Sequence, residues 1–402
     1  MKYSQRVSSM QSSPIRKLAP FEEKAIKNGV KVYHLNIGQP DIKTPKEFFN
    51  AVQNFDKDVL KYCPSNGMSS LIESIQKYYR NYNIEFDKDE LLVTNGGSEG
   101  LLFALMAVCD PGDNVISPEP FYTNYLGFTQ SINVNINPIT TTAENGFHLP
   151  NKEDIISKID KKTKAILLSN PGNPTGAVFT LDEIKMLSEI AIEHDLWIIS
   201  DEVYREFIYD DRKYFSFGNI KDVEDRVIII DSVSKRYSAC GARIGSLACK
   251  DKTLIAQILK LCQGRLCVAT LDQIGASKLY EIPSSYFKEI KEEYEKRRDV
   301  LYNELMKVEG VICKKPPGAF YILAKLPVED SEDFAIWMLN EFSRDNETVM
   351  VCPAQGFYTT PDLGKDEIRL AYILNEKDLS KAAKLLKEGL EEYVNSKVKA
   401  EI

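Results

Sequence analysis

Lys235 follows the apolar run Val227-Ile228-Ile229-Ile230, within Asp231-Ser232-Val233-Ser234-Lys235-Arg236-Tyr237. A lysine set at a strand end among small hydroxyl residues serves as an imine-forming amine when burial or neighbouring cations lower its basicity, whereas most lysines are simply solvated. Asp201 stands in the same way behind Trp197-Ile198-Ile199. A carboxylate there is costly to bury unless a cation meets it; a helix cap or a surface acid is the plainer reading of the position. Asn170-Pro171-Gly172-Asn173-Pro174-Thr175-Gly176 follows a third apolar run. Its prolines and glycines force a rigid loop that either holds two amides at fixed positions or merely connects two elements. Thr94-Asn95-Gly96-Gly97-Ser98-Glu99-Gly100 leads into an amphipathic run through Leu101, Leu105 and Val108. That is a tight turn, or an anion site built from free backbone N–H groups and the helix dipole. Its spacing is neither that of a P-loop nor Gly-x-Gly-x-x-Gly. Arg243, between Gly241 and Gly245, suits a phosphate or a carboxylate.

These segments need strands that end at one edge. Between residues 90 and 261, short apolar runs alternate with longer amphipathic ones, the pattern of a mostly parallel sheet covered by helices. Leu91-Leu92-Val93, Val115-Ile116, Ala165-Ile166-Leu167-Leu168, Trp197-Ile198-Ile199 and Val227-Ile228-Ile229-Ile230 read as buried strands. A helix begins after Thr180, with Glu183 completing a capping box and Ile184, Leu187, Ile190 and Ala191 on one face. In open α/β sheets, ligands bind at the carboxyl ends of such strands.

The composition shifts near Pro283. A heavily charged helix is expected over 286–307, then strands over 311–313, 319–323, 349–351 and 367–371, a helix over 334–342 and a last helix from Glu376. The expected division is an N-terminal segment, 1–43, joining a small α+β domain at 283–402, with a large domain at 44–282. A chain of 402 residues is longer than one core usually grows, which fits two domains.

Lys and Arg number 51 against 59 Asp and Glu, a formal charge of −8, which argues against nucleic acid or an anionic membrane as partner. The eight cysteines include no Cys-x-x-Cys pair and have no histidine at metal-ligand spacing, so free thiols, no metal and a reducing, cytoplasmic setting are expected. Residues 1–19 are polar and hold no apolar core of signal-peptide length, and no apolar run reaches the length of a membrane span.

Together, the four strand ends present an anion cradle, a rigid Asn loop, an acid and a lysine. From about Ile15 to the final helix the chain resembles the fold-type I, pyridoxal-phosphate-dependent aminotransferases of class I/II, the group that includes aspartate aminotransferase. The resemblance implies an α/β fold with a mostly parallel central sheet, helices on both faces and a smaller α+β domain. It implies that Lys235, in Ser-x-Ser-Lys with Arg243 eight residues on, holds pyridoxal 5′-phosphate as an internal aldimine. By the same resemblance Asp201 pairs with the pyridinium nitrogen, Tyr204 and Asn173 lie at the cofactor's O3′, and Tyr122 stacks on its ring. Gly97, Ser98, Ser232 and Arg243 match the phosphate cup. Tyr62, in Lys61-Tyr62-Cys63-Pro64, matches a tyrosine lent by the second subunit of a homodimer. Gly38, in Asn36-Ile37-Gly38-Gln39-Pro40-Asp41, matches a segment lying against the substrate, and Arg369 the clamp on the substrate α-carboxylate. Ala242 and Cys240 depart from the family, where Trp and Thr are frequent.

The function implied is transfer of an amino group from an L-amino acid to a 2-oxo acid. Counting back from Gly275-Ala276, Arg265 falls where dicarboxylate-selective members place the arginine for the side-chain carboxylate, which leans the substrates toward aspartate or glutamate with 2-oxoglutarate. A lyase on the same scaffold, cleaving Cβ–S or closing a cyclopropane ring, would keep the same cofactor residues. A non-catalytic cofactor-binding regulator usually carries an N-terminal DNA-binding module, and only about thirty residues precede the Gly38 segment.

Overall fold

The structure, a computed structural model, describes residues 3–11, 14 and 16–400. Ile15, where the resemblance begins, lies outside the described residues.

A seven-stranded sheet forms the centre. Its strands are β2 (Leu91–Asn95), β3 (Asn114–Glu119), β4 (Asn135–Thr140), β5 (Thr163–Ser169), β6 (Trp197–Asp201), β7 (Val227–Ser232) and β8 (Ile244–Cys249), in the order β2-β8-β7-β6-β5-β3-β4. Strand β8 runs antiparallel to both neighbours and the remaining pairs are parallel. Strand β2 is therefore parallel to β7, and the carboxyl ends of β2, β3, β5, β6 and β7 share one edge, where β8 begins.

Alternate side chains leave the two faces of a sheet. Val93, Ile166, Leu168, Ile198 and Ile229 join one apolar cluster, and Leu92, Leu167, Ile199, Ile228 and Ile230 another. Both faces are thus covered, and strands buried on both sides read as continuous apolar runs. The helix Leu181–Glu193 covers the first face. Thr180 caps it as expected, its Oγ1 accepting from Glu183 N at 3.2 Å while Glu183 Oε2 accepts from Thr180 N at 2.7 Å. Ile184, Leu187, Ile190 and Ala191 are fully buried, the isoleucines and the leucine each contributing about 1.5–3 kcal/mol of transfer free energy.

Two small sheets lie beyond. β9 (Tyr321–Lys325), β11 (Cys352–Pro353) and β12 (Glu367–Ala371) form an antiparallel sheet, while β1 (Lys31–His34) pairs in parallel with β10 (Glu347–Met350). The N-terminal segment is thereby stitched to the C-terminal third. One apolar cluster joins Leu18, Tyr33 and Leu35 to the C-terminal elements and to Tyr204 and Phe207 of the central region.

The structure corrects some expected strands. Residues 311–313 give only a bridge, Ile312 and Lys325 exchanging two 3.0 Å bonds, because Pro316 and Pro317 follow and cannot donate. Strand β9 starts at Tyr321 rather than residue 319, since Ala319 has a φ of 54°. Strands β4 and β8 were not foreseen. The first is a polar edge strand with Pro138, a tolerated position there, and the second is broken up by Gly245, Ser246 and Ala248.

Candidate active site

Strand β6 ends on Asp201, so the acid lies within the strand's last residue rather than one step past it. It is 5 % exposed and accepts from Tyr125 Oη at 3.2 Å and Val203 N at 3.4 Å. Burial pushes its pKa up to about 6, although those two donors and the charge of Lys235 pull it back. This is a carboxylate with neutral hydrogen-bond donors and no direct ion-pair partner among the described residues.

Strand β7 passes into a single helical turn, Val233–Arg236, which carries Lys235. Lys235 is therefore held by a helical turn rather than by the strand. Its Nζ donates to the Gly38 carbonyl at 2.9 Å and stands 6.0 Å from the Tyr204 ring centroid and 5.8 Å from that of Phe320. Ser232 caps the turn, its Oγ accepting from Ser234 N at 3.1 Å and donating to Ile244 O at 3.0 Å.

The phosphate-cup candidates meet at the next strand ends. Gly96 has a φ of 72°, and a Cβ there would come within 2.5 Å of Arg243 Nη2. Glycine thus lets the guanidinium lie over the start of the helix Gly96–Val108, where free N–H groups and the dipole favour an anion. Arg243 itself adopts the left-handed region at φ 54° and donates to Cys240 O at 3.2 Å. Gly97 faces Val203, Ile230 and Ser232, and a Cβ on Gly245 would strike the Gly96 backbone at 2.5 Å. Ser98 is half-buried in the first turn of that helix. A guanidinium, a hydroxyl and a helix start form a cradle that side chains would otherwise fill, and this donor set fits a phosphate.

On the opposite wall, Arg369 of β12 is 1 % exposed. Its Nη1 donates to Asn173 Oδ1 at 3.2 Å and its Nη2 to Asn36 O at 2.5 Å, while its Nε is buried with no hydrogen-bond partner among the described residues. Its Cζ lies 4.7 Å from the Tyr321 ring centroid and 5.1 Å from that of Phe357. Tyr321 in turn shares a 2.9 Å hydrogen bond with Tyr204 and leaves no room for a Cβ at residue 38. The Gly38 segment is anchored by Asp41, which accepts from Arg297 Nη1 at 2.6 Å. Tyr122, after β3, is half-buried, its phenol pushed up to about 12 chiefly by desolvation.

The structure therefore brings Lys235, Asp201, Tyr204, Asn173, Arg369 and Gly38 into one site, with Gly97, Ser98, Ser232 and Arg243 at its anion end. Two candidates stand elsewhere. Tyr62 is 82 % exposed. Arg265 ends the helix Lys252–Arg265, where its Nε lies 3.2 Å from Glu99 Oε1 and its Nη2 donates to Val93 O at 3.2 Å. Residues not singled out in the sequence are Tyr125, Tyr321 and the Asn36 carbonyl. Tyr125 had a signal, since it lies one helical turn from Tyr122; the other two are brought in only by tertiary packing.

Among the described residues no helix is long and apolar enough to cross a membrane. The model of the family described as aminotransferase class I and II matches residues 30–386. The chain is 29 % identical to an aspartate aminotransferase of Bacillus subtilis (strain 168), over 98 % of this chain and all of that protein. It is 34 % identical to a probable aspartate aminotransferase of Methanocaldococcus jannaschii, over 89 % of this chain and 93 % of the other. Its fold matches an alanine aminotransferase from Pyrococcus furiosus with a TM-score of 0.89 at 28 % identity, over 97 % of this chain and all of that one. The chain belongs to the class I and II aminotransferases, fold-type I enzymes of a family that uses pyridoxal phosphate to move amino groups between amino acids and 2-oxo acids.

Proposed function

We propose that this aminotransferase holds pyridoxal 5′-phosphate at Lys235 and acts on an L-amino acid donor and a 2-oxo acid acceptor, with aspartate or glutamate and 2-oxoglutarate as the favoured pair. The observation that carries the reading is the placement of Lys235 Nζ, 2.9 Å from Gly38 O, in one site with the buried acid Asp201 and the buried arginine Arg369. Bound there, pyridoxal phosphate supplies an electron sink for charge that develops at the substrate Cα.

The chain's own residues divide the remaining work. Arg243, Ser232, Ser98 and the Gly97 N–H would hold the phosphate, and Tyr122 would lie against the ring. Asp201 would keep a proton on the ring nitrogen, because a buried acid without a cationic partner is itself stabilised by that positive charge. Tyr204 and Asn173 would donate hydrogen bonds to the ring oxygen. Arg369 binds the α-carboxylate with the N–H donors left over from Asn173 and Asn36, and this fixes which substrate bond faces the lysine. Lys235 Nζ would be the base that takes the proton from the substrate Cα.

The donor preference is supported by the relatives named for aspartate. Arg265 would serve the far carboxylate by exchanging its Glu99 pairing for the substrate's. A homodimer with shared sites is supported by Val59, Leu60 and Tyr62, which are 61, 55 and 82 % exposed on one short segment. The division into 1–43, 44–282 and 283–402 is supported by the separate central and C-terminal sheets, and the smaller part would move on substrate binding. Eight free thiols fit a cytoplasmic setting.

The test is borohydride reduction of the cofactor-loaded protein followed by peptide mapping, then single amino acids mixed with the loaded protein while its absorption is followed. Label on Lys235 and conversion by aspartate or glutamate alone is the expected result. Label elsewhere would overturn the assignment. Release of a sulfur product or pyruvate in place of conversion would favour the lyase.

A further inference from the structure

The helical turn that carries Lys235 is too short to hold its own direction, since a single turn fixes several dihedral angles for very few hydrogen bonds. Val233–Arg236 is followed by two long backbone bonds, Tyr237 N to Val233 O and Ser238 N to Lys235 O, both 3.3 Å. Its orientation must come from side chains. On its outer flank Cys240 Sγ donates to Ser234 O at 3.1 Å. On its inner flank lies Arg236, 1 % exposed, whose Nη2 donates to Asp231 Oδ1 and, at 3.3 Å, to Ser232 O. Asp231 also accepts from Ser232 N at 2.7 Å, so the acid closes a ring over the point where β7 becomes helix.

Arg236 belongs to a longer arrangement. Asp231 Oδ2 accepts from Arg205 Nη1 at 3.5 Å, and Arg205 donates from Nη2 to Glu202 Oε2 at 2.6 Å. Glu202 Oε1 is satisfied by Ser200 and Ser216 at 3.0 and 2.7 Å. Four buried charges thus alternate in sign from Glu202, next to Asp201, to Arg236, next to Lys235. The Arg236 Cζ lies 4.3 Å from the Tyr78 ring centroid, and its Nε and Nη1 have no hydrogen-bond partner among the described residues. A guanidinium costs free energy to bury. Here the pair with Asp231 keeps the charge in place, and the bond to Ser232 O gives it direction.

We propose that Arg236 is a positioning residue for Lys235. Clamped between Asp231 and the Ser232 carbonyl, it fixes the rotation of the one-turn helix so that the neighbouring amine faces the Gly38 carbonyl and the ring site. This rests on Lys235 being the reactive amine. Loss of the clamp lets the turn rotate, and a displacement of about 1 Å at a reacting atom costs far more in rate than in binding.

The test follows how fast full-length protein stripped of cofactor captures added pyridoxal 5′-phosphate, by absorbance, with borohydride trapping at Lys235 as the second readout. Arg236→Gln is expected to slow capture and to lower the amino-donor half-reaction rate by about tenfold or more, with half-saturating donor within about twofold because Arg369 is untouched. The double variant Asp231→Asn with Arg236→Gln removes the unpaired charge without restoring the bond to Ser232 O and leaves Glu202–Arg205 balanced, so capture should stay slow. A purely structural role would lower thermal stability without slowing capture by the folded fraction. If Arg236→Gln does not fold, Arg236→Lys decides, because its ammonium meets Asp231 but cannot hold Ser232 O in the same plane. Capture several-fold slower is then expected, and an unchanged rate overturns the proposal, as does a folded Arg236→Gln with normal capture or a double variant restored to the normal rate. Failure of the unaltered protein to be labelled at Lys235 would instead sink the cofactor assignment.

Discussion

Arg369 and Asn173, 196 residues apart, meet at 3.2 Å, the guanidinium Nη1 donating to the amide Oδ1. The contact joins the small antiparallel sheet to the rigid loop after β5, so the residues proposed for the carboxylate clamp and for the ring-oxygen contact are tied by one hydrogen bond. Lysine at 369 could not meet Asn173, Asn36 O and a planar carboxylate together. Arg369→Lys should raise KM for the amino donor by about 10–100-fold, and by the same factor for donors of different side chain, because the α-carboxylate is common to all. Half-reaction kinetics over several amino acids check this, and a side-chain-dependent factor would refute it.

Asp201 imposes a stability cost on the cofactor-free protein. Its folded pKa of about 6 lies above the ordinary 3.8, so the folded protein holds a proton that the unfolded chain has released. Stability is therefore full below about pH 4, falls as pH rises toward 6 and is flat above, for a total on the order of 3 kcal/mol. Cofactor-free Asp201→Asn should be more stable than the unaltered protein at pH 8 and nearly equal to it at pH 4. Urea unfolding at the two pH values gives the comparison; a variant weaker at pH 8 speaks against it.

Glu367 lies two residues before Arg369 on β12 and accepts from Tyr358 Oη at 2.5 Å. Burial raises its carboxyl from 4.5 to about 7 despite that bond. The sign is the same: the proton is kept in the folded state, and the associated stability fades between about pH 4.5 and 7. Glu367→Gln should abolish that part of the pH dependence, leaving the difference in unfolding free energy larger at pH 8 than at pH 5. Equal differences at the two pH values would mean that the acid is ionised throughout.

Arg265→Ala should raise KM for aspartate by about tenfold or more while leaving an aromatic donor within about twofold, as charge pairing with a second carboxylate requires. Equal changes for both donors would return Arg265 to a structural pairing with Glu99.

Much of the sheet was legible because β5, β6 and β7 are buried on both faces, so their residues form unbroken apolar runs, and the candidate residues lie at or within a few positions of their ends. The single turn under Lys235 was not, since four residues carry no periodicity. Strand β8 was hidden by small residues that exist for packing: Gly245 must pass the Gly96 backbone. Arg369 was legible only through the family resemblance, because nothing local distinguishes an arginine in a strand. Its partners Tyr321 and Asn36 come from opposite ends of the chain, and no short-range signal ties them together.

The parallel pairing of β1 with β10 bears on how the protein is made. Tyr33 of β1 donates to Glu347 of β10 at 2.9 Å, across 314 positions of chain. During translation the strand leading to the Gly38 segment leaves the ribosome with no hydrogen-bonding neighbour, and it waits until nearly the whole polypeptide has followed. A nascent chain that has already laid down Lys235 and the Gly96–Arg243 cradle still lacks Arg369, so the wall of the site opposite the lysine is completed only as the last strands emerge.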